Sequence, residues 1–79
     1  MATELSRKVH NIMAREMGQL GKFIVNKQCS TLGLDPDNIH EADLPKLAKA
    51  FGEVMLTFGG TEKAKNVEME VKRLAAATQ

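Results

Sequence analysis

Gln28–Ala50, QCSTLGLDPDNIHEADLPKLAKA, lies between two runs of helical periodicity and holds the only cysteine, both prolines and one of the two histidines. Its punctuation governs how the flanking helices meet. Gly33 can adopt the left-handed conformation that closes a helix, with Leu34 supplying the apolar contact of that motif. Asp35 suits an N-cap and Pro36 a first helical position. Together they predict a short helical turn over 35–39, pinned to the core by Leu34 and Ile39. Asp43 as N-cap puts Pro45 in the first turn of the next helix, where its missing N–H is tolerated. The acids of this segment lack the alternating ligands and closing glutamate of an EF-hand loop.

Upstream, residues 3–32 read as one long helix. Leu5, Val9, Ile12, Met13, Leu20 and Ile24 recur at spacings of three, four and seven, and so share one face. Met17 and Phe23 widen it. Gly18 and Gly21 interrupt this pattern, each at a cost of about 1 kcal/mol relative to alanine in an exposed helix. Two readings stay open. The small residues Ala14, Gly18, Gly21 and Val25 permit close approach of another helix, or the helix bends or breaks near Gly18–Gly21.

Downstream, Leu44, Leu47, Phe51, Val54 and Phe58 form a three-four seam, predicting a helix over 43–58. Gly59-Gly60 makes a short connection that favours an antiparallel hairpin. Thr61 suits the N-cap of the following helix, over 61–76, and Glu62 complements its dipole. Ala64, Val67, Val71, Leu74 and Thr78 give its apolar stripe. Phe23, Phe51 and Phe58 are the expected core anchors.

The fold expected is all-α and a single domain over 1–79. A long N-terminal helix is followed by a short helical turn and an antiparallel helical hairpin. A chain of 79 residues is marginal alone, and one cysteine forms no internal disulfide. The long helix also carries more apolar surface than a two-helix hairpin covers. A homodimeric helical bundle is therefore predicted. Its contact residues would be Leu5, Val9, Ile12, Met13, Ala14, Met17, Gly18, Leu20, Gly21 and Ile24.

Charge and motifs narrow the chemistry. The net charge is +1, which argues against a general affinity for nucleic acid. It divides into +3 over residues 1–34 and −2 over 35–79. Arg7, Lys8, Arg15 and Lys22 could touch phosphates, but no aromatic interleaving accompanies them. Cys29, His10 and His40 form no zinc-ligand spacing, and no metal or other cofactor is expected. Cys29 sits at a helix C-terminal end, where the dipole disfavours a thiolate. A small buried apolar role is expected for it over a thiol-dependent or small-ligand site. No GxxxxGK[ST], GxSxG or HExxH motif occurs, so no catalytic residue is assigned and the chain is read as a non-enzyme. It has no signal-peptide pattern and no apolar run approaching the ~20 residues of a membrane span. The lone thiol fits the reducing cytoplasm.

Four runs carry a resemblance: Lys27-Gln28-Cys29, Leu32-Gly33-Leu34-Asp35-Pro36, Asp43-Leu44-Pro45-Lys46-Leu47 and Glu62-Lys63-Ala64. On these, residues 26–74 resemble a small helical module of archaeal proteins that sits beside sensory or regulatory domains. The resemblance implies a helical fold and a regulatory protein partner, and brings no activity with it. The function expected is a non-catalytic interaction or oligomerisation module.

Overall fold

The computed structural model describes residues 3–77. Four α-helices are present: α1 (Glu4–Met17), α2 (Gln19–Leu32), α3 (Leu44–Phe58) and α4 (Gly60–Ala77). A 3₁₀ turn over Glu41–Asp43 leads into α3.

The single helix expected over 3–32 is two helices. Gly18 ends α1 and begins α2, with φ 62° and ψ −134°. That backbone region is open to glycine and strained for any residue with a Cβ. Its N–H still bonds Ala14 O at 2.8 Å, so α1 closes normally before the chain turns. Dimensions agree. A continuous Glu4–Leu32 helix would be about 43 Å long, and the longest extent of the molecule is 29 Å.

After the break α2 folds back on α1. A Cβ at Gly21 would sit 2.4 Å from Met13 O and 2.8 Å from Ala14 N, both backbone atoms. The two glycines thus have separate roles, Gly18 making the turn and Gly21 the close approach.

Gly33 closes α2 in the left-handed conformation, and Leu34 N–H reaches Cys29 O at 2.7 Å. Asp35–Asn38 is not the helical turn expected. It is a β-turn, closed by Asn38 N–H to Asp35 O at 3.0 Å, and Asp35 Oδ1 accepts from Asp37 N–H at 2.9 Å. A carboxylate that satisfies the backbone two residues on offers the chain a turn in place of a helix. The helical turn falls later, at Glu41–Asp43, where Asp43 Oδ2 accepts from His40 N–H. Asp43 stands at the N-cap position of α3 without a side-chain cap bond, its carboxylate accepting from His40 N–H instead, and Pro45 lies in the first turn of the helix.

The helices pack in a ring, α1 on α2, α2 on α3, α3 on α4 and α4 on α1, with the α3–α4 contact the largest. Inside are Val9, Met13, Val25, Leu44, Leu47, Phe51, Met55, Val67 and Val71, all fully buried. Each large side chain removed from water contributes roughly 1.5–3 kcal/mol. The architecture is therefore a four-helix bundle built of two hairpins. The reason lies in α1 and α2: their apolar stripes cover each other, so a partner chain is not required to bury them. The total accessible surface is 4971 Å², close to the ~4,700 Å² of a compact monomer of this mass. Thr78 lies outside the described residues.

Candidate interaction surface

The ten contact residues read from the first thirty residues separate into two groups. Val9, Ile12, Met13, Gly21 and Ile24 are buried, and Leu5 and Met17 are half-buried against the same core. Ala14, Gly18 and Leu20 are exposed. Most of the stripe is thus turned inward within one chain.

The end of the bundle away from the glycine joints is closed by polar contacts. Thr3 N–H donates to Asp37 O at 2.9 Å, and Thr3 Oγ1 accepts from Ser6 N–H at 3.1 Å. The Thr3 and Ser6 hydroxyl oxygens lie 3.0 Å apart, and Thr3 Oγ1 is also 3.0 Å from Ile39 O. Ile39 N–H donates to Ser6 Oγ at 2.8 Å. Ser6 is fully buried, so these bonds hold the 34–40 loop to α1 out of competition with water. His10 Nε2 lies 3.3 Å from Pro36 O and adds a further tie. Thr3 as the N-cap of α1 was not singled out in the sequence, although a threonine before a helical run is a local signal for it. Nothing local to Ser6 points to a partner thirty-three residues away.

Cys29 is buried. Burial, and then the charges of Asp43 and Asp35, raise its thiol pKa above the usual value. The protonated thiol therefore dominates at neutral pH, which opposes nucleophilic or redox reactivity. Among the described residues no group of three or more His, Cys, Asp and Glu side chains is placed to hold a metal ion. No helix among them is long and apolar enough to cross a membrane.

The basic residues of the first segment do not form one face. Lys8 pairs with Glu4 at 3.3 Å, and Arg15 pairs with Glu70 of α4. Lys22 lies beyond the break, on α2.

Among the described residues the exposed large apolar side chains are Leu20, Phe23, Leu32, Leu56, Phe58 and Met69, and four of them lie towards one end of the bundle. Lys63, near the start of α4, donates to Glu16 O near the end of α1 at 3.2 Å. That bond brings the Gly18 and Gly59–Gly60 joints to one end of the bundle. Leu20 and Phe23 lie in the first turns of α2, and Leu56 and Phe58 in the last turn of α3, so all four belong to this end. Phe23 is 65% exposed and Phe58 62%, with Leu20 and Leu56 above half.

Phe51 alone is the core anchor expected of the three phenylalanines. Within α2 the buried positions are Gly21, Ile24, Val25 and Cys29. Helical geometry puts Phe23 opposite the Gly21–Val25–Cys29 row. Phe58 continues the α3 seam by one position past Met55, the last buried residue of that helix. Each exposed phenyl forgoes roughly 1.5–3 kcal/mol of burial, and exposed apolar groups sharing one end are a candidate contact surface.

Beside this end a shallow groove of about 220 Å³ runs between α3 and α4, past Gly52, Leu56 and Ala64. Gly52 admits the Glu68 side chain, whose Oε1 lies 2.9 Å from where a Cβ would stand. The groove's cations, Lys49 and Lys65, alternate with Glu53 and Glu68, so it presents no single sign of charge. No family model matches the chain, and no curated protein or solved structure matches it either.

Proposed function

We propose that this chain is a non-catalytic interaction or oligomerisation module, and that its contact surface is the apolar end carrying Leu20, Phe23, Leu56 and Phe58. One observation carries the reading. Two of the three phenylalanines stand in solvent at the same end, while the rest of the large aromatic and β-branched surface is turned inward. Buried aromatic anchors supply much of the binding energy of protein interfaces, and a monomer has no structural use for two of them in water. The simplest form of the reading is a homodimer. A regulatory protein partner in the cytoplasm is the setting implied by the resemblance over 26–74 and by the single thiol. The protonated, buried Cys29 supports the non-catalytic part.

The test compares the wild-type chain with the Phe23→Ser/Phe58→Ser variant in cross-linking and co-purification from native cells. The variant should keep its thermal midpoint, because both side chains are already largely solvated, and should lose its cross-linked partners. A variant that folds and retains every partner would remove this surface from consideration.

A further inference from the structure

We draw no further inference here: the strongest candidate, the apolar end of the bundle carrying Leu20, Phe23, Leu56 and Phe58, is an unpartnered face, and nothing in the structure shows what covers it.

Discussion

The α1–α2 and α3–α4 hairpins both turn at glycine and are held closed by different means. At the α3–α4 joint two glycines stand side by side, Gly60 with φ 84°. The helices beyond them meet through side chains, along a seam that includes Leu44, Leu47, Phe51 and Met55. At the α1–α2 joint a single residue, Gly18, reverses the chain. There the helices meet at the backbone, with Gly21 against Met13, and the far end is tied by Thr3, Ser6 and Ile39. A side-chain seam is plastic, since side chains can repack around a change. A backbone contact is not, because a carbonyl cannot move without its helix.

Substitutions at the glycines and at the polar junction separate these two modes. Gly21→Ala should have the largest effect, a loss of about 3 kcal/mol or more in urea unfolding, since the new Cβ meets backbone rather than a side chain. A loss below about 1 kcal/mol would mean that the two helices can separate freely. Ser6→Ala comes next. It strips the acceptor from the Ile39 N–H, at about 1–3 kcal/mol, with early hydrogen exchange at Ile39 as the accompanying signature.

Gly18→Ala should destabilise by about 1–2 kcal/mol through backbone strain alone, because open space surrounds the site. Its sign is diagnostic. In a continuous helix the same change would stabilise by about 1 kcal/mol, so a raised thermal midpoint would contradict the break. Gly52→Ala, in the α3–α4 hairpin, should have the smallest effect, within about 1 kcal/mol of zero. Its Cβ meets only the end of the flexible Glu68 side chain, and the helix propensity of alanine offsets the displacement. A large loss there would show that this hairpin is as rigid as the first.

The α3–α4 hairpin was legible for a local reason. Adjacent glycines between two apolar stripes, with Asp43 and Pro45 at the start, leave few alternatives, although α4 begins at Gly60 and the expected N-cap, Thr61, lies inside it. The first hairpin was not. Leu5, Val9, Ile12 and Met13 continue in phase into Leu20 and Ile24 along the sequence, so the apolar periodicity carries no mark of the break. Gly18 and Gly21 mark the spot, but local pattern is compatible with both a break and a close approach there. The exposure of Phe23 was hidden for the same reason. Phe23 joins the apolar stripe only if the helix is continuous. Once α2 starts afresh at Gln19, Phe23 lies off the face defined by Gly21, Val25 and Cys29.

The residues alone determined that the chain is helical, that Gly33 stops one helix and that Asp43-Leu44-Pro45 starts another. Those outcomes rest on capping, proline and periodicity, whose range is a few residues. Only the tertiary structure decided that Gly18 turns the chain, that Ser6 reaches Ile39 and that Phe23 and Phe58 share one end. A lone glycine becomes a turn when the burial gained by folding two stripes together exceeds the helix hydrogen bonds and strain given up. That balance is set by the whole core and is not written in any one stretch of the chain.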